Sequence, residues 1–252
     1  MSATILSPQR PTPVASGAGA GTGTASSSPP VSLCWAALDS SQAAERDLEM
    51  HLSPEERRRA ESFVRPLDRR RFVVARGSLR RLLASRLRCA PEEVPIVTDS
   101  RGKPGLAGSG LRFSIARSAG IALYAFSWTM EVGVDVEAIR ESADLDRIAA
   151  RFFSVAERRA LASLPAARRR PAGFQCWTRK EAYAKGTGDG LALTIDTEVG
   201  IGGRSGIGSR WSVHQVDVAP GFAAAVAGSA LGDWSPGAPR RIDTADWEGQ
   251  GG

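Results

Sequence analysis

Asp135 and Glu137 stand two apart in the apolar run 132–137. On a strand, residues i and i+2 share a face, so both carboxylates point one way while Val134 and Val136 point into apolar packing. Two adjacent carboxylates repel, and burial raises that cost. A divalent cation relieves it. Magnesium takes oxygen ligands, commonly one or two carboxylates with phosphate and water oxygens. The same spacing also fits an exposed strand face with two solvated acids. Trp177, Glu181 and Lys185 lie at i, i+4 and i+8, on one side of a helix, and Lys180 stands beside Glu181. A carboxylate between two lysines suits a site where the acid binds metal and the ammonium groups meet phosphate oxygens. An ordinary surface ion-pair ladder has that spacing too.

These groups need a strand and a helix to hold them. The sequence predicts strands at 111–116, 121–127 and 132–137, with Ser118-Ala119-Gly120 as the turn between the first two. It predicts a helix from Phe174 to Lys185, ended by Gly186 as a left-handed cap. Ser53-Pro54-Glu55-Glu56 opens a helix with a capping box, and Ser154 to Glu157 opens another. A longer helix spans 68–87. Phe72, Ala75, Leu79, Leu82 and Leu87 form its apolar stripe, and Arg69, Arg70, Arg76, Arg80 and Arg81 its other face. Strands follow at 191–198, 210–217 and 222–227, two of them separated by a loop at 200–208. The order is mixed α+β in two halves of similar size, 31–132 and 133–231. Residues 1–30 read as a flexible tail because they carry too few large apolar side chains to offset ordering entropy, and 232–252 as a loosely packed one.

The bulk numbers narrow the field. A chain of 252 residues with 42% hydrophobic content can bury a real core. A net charge of +6 and a pI near 9.9 favour an anionic partner without choosing among nucleic acid, acidic protein and phosphorylated cofactor. Cys34, Cys89 and Cys176 are odd in number and unpatterned, which argues against a disulfide framework and for a cytoplasmic location. No apolar run approaches the roughly 18 residues of a membrane span, and no signal-peptide core follows Arg10. His51 and His214 stand alone and read as structural or exposed residues rather than ligands. Cys176 reads as core, and Arg168-Arg169-Arg170 as a solvated helix start. Gly102-Lys103-Pro104 lacks the spacing of a P-loop.

The ordered combination is more specific than any part. Gly133-Val134-Asp135-Val136-Glu137, then Phe152-Phe153-Ser154 with Glu157, then Trp177-Thr178-Arg179-Lys180-Glu181-Ala182-Tyr183-Ala184-Lys185 occur in sequence. This set resembles the surfactin-synthetase-activating type of 4′-phosphopantetheinyl transferase, whose signatures are G-[IV]-D-[IVL]-E, F-F-S-x-x-E and [FW]-x-x-K-E-[AS]-x-x-K. Leu52-Ser53-Pro54-Glu55, Arg76, Arg80 and Gly102-Lys103-Pro104 fit upstream, and the resemblance covers about residues 31–230. One departure stands out. Where the family reads F-N-[IVL]-S-H-[ST], this chain reads Phe113-Ser114-Ile115-Ala116-Arg117-Ser118, so the family's phosphate-contacting histidine is Arg117 here.

The resemblance implies two α/β halves related by a pseudo-twofold axis, with coenzyme A and magnesium in the cleft between them. It implies Asp135, Glu137 and Glu181 as metal ligands, and Glu181, Lys185 and Lys180 as catalytic groups. It implies Arg117, Arg76 and Lys103 as contacts for the phosphates of coenzyme A, and Trp177 as packing beneath the metal site. The implied reaction moves the phosphopantetheine arm of coenzyme A to a serine of an acyl, polyketide or peptidyl carrier protein and releases 3′,5′-ADP, with no membrane or nucleic-acid partner. Two other readings remain open on sequence: a basic nucleic-acid-binding module built on the Arg-rich helices, and an inactive family member that only binds carrier protein.

Overall fold

The computed structural model describes residues 29–190, 197–201, 204–207, 210–229 and 234–243. The first strand, β1 (Ser32–Ala37), leads into α1 (Gln42–Met50), α2 (Pro54–Glu61) and α3 (Pro66–Leu87). A short hairpin, β2 (Ile96–Thr98) with β3 (Pro104–Leu106), precedes the longer hairpin β4 (Arg112–Ser118) and β5 (Ile121–Ser127). The chain then enters β6 (Val132–Ala138), α4 (Leu145–Phe152), α5 (Val155–Ser163) and α6 (Ala166–Thr187). Strands β7 (Arg204–Ile207), β8 (Trp211–Gln215), β9 (Phe222–Ser229) and β10 (Arg240–Ile242) follow. One four-stranded sheet has the order β10-β1-β5-β4 and another β6-β9-β8-β7. The architecture is mixed α+β.

Local chemistry accounts for the element boundaries. Ser53 caps α2, and Glu56 answers from N3 with a bond to the Ser53 amide at 2.9 Å. Ser154 and Glu157 repeat the device on α5. The β4–β5 turn is tighter than expected: Ser118 still pairs with Ile121, and only Ala119 and Gly120 turn the chain, both at positive φ. A two-residue hairpin of this kind needs that handedness. The apolar side of α3 (Val74, Leu79, Leu82 and Leu83) packs on Ala36, Tyr124 and Phe126 of the first sheet.

The structure corrects several expectations. Helix α6 begins at Ala166, well before the expected Phe174, and ends at Thr187, just past Lys185, with Pro171 inside it. Its left-handed cap is Gly188, while Gly186 lies within the last turn. Part of the expected loop at 200–208 is strand β7, which pairs with β8. The strand expected at 191–198 falls largely outside the described residues; 197–200 are irregular. The tail expected at 232–252 is not loose where it is described. Trp234 is buried against His214, with ring centroids 4.5 Å apart, and β10 pairs in parallel with β1.

Gly186 has a structural reason to be glycine. A Cβ there would lie 2.6 Å from the Trp211 ring. A Cβ on Gly133 would lie 2.1 Å from the Ala182 carbonyl oxygen and 2.3 Å from the Gly186 nitrogen. Strand β6 and helix α6 therefore meet backbone to backbone. Gly133→Ala is expected to lower unfolding stability by about 1–3 kcal/mol or more, because the obstacle is backbone that cannot swing aside. Denaturant titration checks this, and an unchanged midpoint would refute the close approach.

Candidate active site

The β6–α6 crossing presents Asp135 and Glu137 of the strand to Glu181 and Lys185 of the helix. Asp135 is only 4% exposed. Its Oδ1 accepts a hydrogen bond from Lys185 Nζ at 2.6 Å. Its Oδ2 is buried and has no hydrogen-bond partner among the described residues. Burial pushes the Asp135 carboxyl up to about 7; the Lys185 ammonium opposes this, and the Glu181 and Glu137 carboxylates add to it. Glu181 is also raised, first by burial and then by Glu137, again against Lys185. Glu137 Oε2 accepts a hydrogen bond from Ser118 Oγ at 2.7 Å. The three carboxylates thus feel one another's charge, with Lys185 as the cation that faces both Asp135 and Glu181.

Magnesium fits this donor set. All three side chains offer hard oxygens, and one of those oxygens is buried without a partner. Among the described residues no group of three His, Cys, Asp or Glu side chains is drawn together tightly enough to hold a metal by itself. A cation here would therefore share its ligands between these carboxylates and phosphate or water oxygens, as magnesium commonly does.

Two cavities adjoin β4, and Ile115 borders both. One, of about 350 Å³, is lined by Lys103, Pro104, Phe113, Glu181, Lys185 and Gly190, among others. Lys103 is less available than expected, because its Nζ donates to Glu131 Oε2 at 3.0 Å and to the Gly186 carbonyl. The second, of about 310 Å³, is lined by Arg59, Arg76, Arg80 and Arg117, with Glu56 and Phe72. Arg117 reaches solvent with its guanidinium carbon 5.6 Å from the centre of the Phe72 ring. Partial desolvation, and then the Arg76 and Arg59 cations, lower its pKa. An arginine stays protonated all the same, so this cavity carries positive charge suited to phosphate. Arg76 also ion-pairs with Glu56. Sequence reasoning missed Arg59, which lies in an Arg-Arg-Arg run where no period singles one residue out.

Lys180 does not face this site. It is 1% exposed, and its ammonium meets Glu157 Oε2 at 3.0 Å and the Thr197 carbonyl at 2.7 Å. Glu157 also accepts the amides of Ser154 and Val199. Consecutive helical residues are turned by about 100°, so Lys180 and Glu181 serve different surroundings. The expected phosphate role for Lys180 is corrected to an anchor that ties α6 to α5 and to 197–199. Trp177 lies against Phe152, with centroids 5.0 Å apart, in the apolar cluster between α4 and α6. Cys176 is fully buried there, and burial holds its thiol protonated.

Asp135 should make the stability of the fold depend on pH. Its folded pKa of about 7 lies above the ordinary 3.8, so the folded chain holds that proton more tightly than the unfolded chain. This contribution is full below the ordinary value, declines as pH rises between the two, and is lost above about 7. In chelator, unfolding stability should therefore fall across that window by about a few kcal/mol, and melting temperature should fall with it. Asp135→Asn should flatten the fall, as calorimetry at graded pH would show. A mutant with the wild-type slope would remove Asp135 as its source.

Comparison with known proteins bears on what this arrangement does. The family model of the 4′-phosphopantetheinyl transferase superfamily matches residues 131–207. The chain is 37% identical over 207 residues to the 4′-phosphopantetheinyl transferase HetI of Nostoc sp. strain PCC 7120, covering 79% of this chain and 87% of that one. It is 32% identical over 163 residues to the 4′-phosphopantetheinyl transferase psf-1 of Bacillus pumilus, covering 64% and 69%. It is 25% identical over 147 residues to the 4′-phosphopantetheinyl transferase Sfp of Bacillus subtilis, covering 58% and 64%. With its strand acids set against its helix cation and a relative matched over most of both lengths, the chain belongs to the 4′-phosphopantetheinyl transferase superfamily.

Proposed function

We propose that this chain transfers the 4′-phosphopantetheine arm of coenzyme A to a serine of an acyl, polyketide or peptidyl carrier protein, in the manner of the surfactin-synthetase-activating type, with magnesium as cofactor. The observation that carries the reading is the buried Asp135 at the β6–α6 crossing, paired on one oxygen by Lys185 and without a hydrogen-bond partner on the other. Asp135, Glu137 and Glu181 would hold the cation. When bound, magnesium would neutralise charge on the phosphate oxygens.

The chain's own residues account for the rest. Arg117 and Arg76 meet the adenosine-side phosphates of coenzyme A from the arginine-lined cavity. Glu181, raised by burial, takes the proton of the acceptor serine hydroxyl directly or through water. The serine oxygen bonds to the phosphorus that carries pantetheine, the bond from that phosphorus to the nucleotide breaks, and 3′,5′-ADP leaves. Lys185 leaves Asp135 far enough to meet the departing 5′-phosphate of 3′,5′-ADP, where a fixed cation stabilises developing charge.

Two halves, 31–132 and 133–231, related by a pseudo-twofold axis, remain the organising proposal. In support, each half runs strand, helices, then hairpin. The sheet orders β1-β5-β4 and β6-β9-β8 both place the last strand in the middle, and each half carries a 22-residue helix. Strand β10 joins the first sheet from outside that scheme. Among the described residues no helix is long and apolar enough to cross a membrane. The nucleic-acid reading loses its footing, because the Arg-rich face of α3 is engaged inside the molecule. Arg69 and Arg70 meet Glu45, Arg81 meets Asp47, and the buried Arg80 meets Glu56 and three carbonyls.

Mass spectrometry of apo-carrier proteins incubated with the chain, coenzyme A and magnesium tests the function. One carrier should gain the mass of a phosphopantetheine, and Glu181→Gln should cut the rate by about a hundredfold or more while leaving the fold intact. Near-normal turnover in a folded mutant would refute Glu181. Arg117→Ala should raise KM for coenzyme A more than it lowers kcat, since a remote phosphate contact exists in ground and transition states alike. It should also lose discrimination against 3′-dephospho-coenzyme A. Discrimination as strong as wild type would show that Arg117 does not meet that phosphate.

A further inference from the structure

Strands β4 and β6 belong to different sheets yet lie side by side. Two serine hydroxyls join them where a backbone ladder would otherwise run. Ser114 Oγ accepts from the Val134 amide at 3.1 Å, and Ser118 Oγ accepts from the Ala138 amide at 3.1 Å. Both pairs are 20 residues apart in sequence, so the strands run parallel in one register. The two serines then differ. Ser118 also donates to Glu137 Oε2 at 2.7 Å. A serine hydroxyl has one proton, so accepting from Ala138 and donating to Glu137 together fix its rotor. Hydrogen bonds to a carboxylate are the stronger kind, and this one comes from a residue held at a tight turn, paired with Ile121.

We propose that Ser118 is the positioning residue for Glu137: it holds this carboxylate toward Asp135 and Glu181 from the opposite half of the molecule, and so sets the affinity of the site for a divalent cation. The inference rests on the reading of Asp135, Glu137 and Glu181 as metal ligands. Without the hydroxyl, Glu137 regains rotamer freedom that binding must then remove. Groups that orient a metal ligand typically account for about 10–100-fold in metal affinity. Ser118 follows Arg117 directly, so the same strand end that offers a guanidinium to the arginine-lined cavity also steadies a carboxylate of the metal site.

The seam supplies its own control. Ser114→Ala and Ser118→Ala each leave one β6 amide without its acceptor, but only the second frees Glu137. Manganese, used as a paramagnetic stand-in for magnesium, is titrated by electron paramagnetic resonance into each full-length variant, with and without coenzyme A, and thermal unfolding is followed in parallel. Ser118→Ala should weaken manganese binding about tenfold or more. Ser118→Thr, which keeps the hydroxyl, should stay within a few-fold of wild type, and Ser114→Ala should bind manganese as wild type does at a similar loss of stability. If Ser118→Ala does not fold, Ser118→Val against Ser118→Thr decides, since the two match in shape and differ in the hydroxyl. Wild-type affinity in the hydroxyl-free variants overturns the proposal, as does an equal loss in Ser114→Ala, which would mean general loosening of the seam. A wild-type chain that binds no manganese in either state overturns the metal reading and this inference together.

Discussion

The site depends on how closely strand β6 can lie against helix α6. With no side chain at Gly133 or Gly186, the two backbones touch, and the Ala182 carbonyl oxygen occupies space a Cβ would need. That contact brings Asp135, two residues along the strand, within 2.6 Å of Lys185, one residue before Gly186. A thicker crossing would hold the carboxylate and the ammonium apart and admit water between them. Burial would then relax, and with it the upward push on Asp135 and Glu181. The electrostatics of the site follow from two missing methyl groups.

The lysines of α6 show how a helix divides labour by angle. Lys185 and Glu181 are one turn apart and share the face turned to β6 and the first cavity. Lys180 is rotated away, and Glu157 receives it inside the molecule. Glu157 in turn closes the α5 capping box and accepts the Val199 amide. The Ser154 and Val199 amides on Glu157 and the Thr197 carbonyl on Lys180 support this buried pair, and removing either member would strand a charge. The F-F-S-x-x-E segment is thus scaffolding for α6.

What the sequence revealed and what it hid divide along physical lines. The strand bearing Asp135 and Glu137, the helix bearing Glu181 and Lys185, and both serine capping boxes are local patterns of period, cap and spacing, and all were legible. Strand β10 was not, because three residues in a Gly- and Pro-rich stretch carry no period, and their pairing with β1 is a long-range event. The helix expected from Phe174 starts at Ala166 and continues through Pro171, since the surrounding helix tolerates a proline that no local pattern announces. Gly186 looks like a cap in sequence, where a glycine needed for close approach is indistinguishable from one needed for positive φ. The partners of charged groups were hidden as well. Arg69, Arg70, Arg80 and Arg81 read as an open basic face, but their acids lie on α1 and α2. Lys103 meets Glu131 and the end of α6, a pairing no spacing announces.

Strand β4 also explains why this chain tolerates its departure from the family pattern at Ala116-Arg117. Successive residues on a strand face opposite ways. Ser114, Ala116 and Ser118 face the seam, and Ala116 sits in the apolar cluster with Leu123, Val134 and Val136. The apolar neighbours of residue 116 suit a methyl group, whereas Ser114 and Ser118 on either side of it each meet a β6 amide. Ile115 and Arg117 face the cavities, where Arg59 and Arg76 already set a positive field. A histidine in that company would be discouraged from carrying a proton, since neighbouring cations lower its pKa. An arginine keeps its charge under the same pressure. The alanine follows the demand of the core and the arginine that of the cavity. The two substitutions answer opposite faces of one strand, and the β6 carboxylates are left as they were.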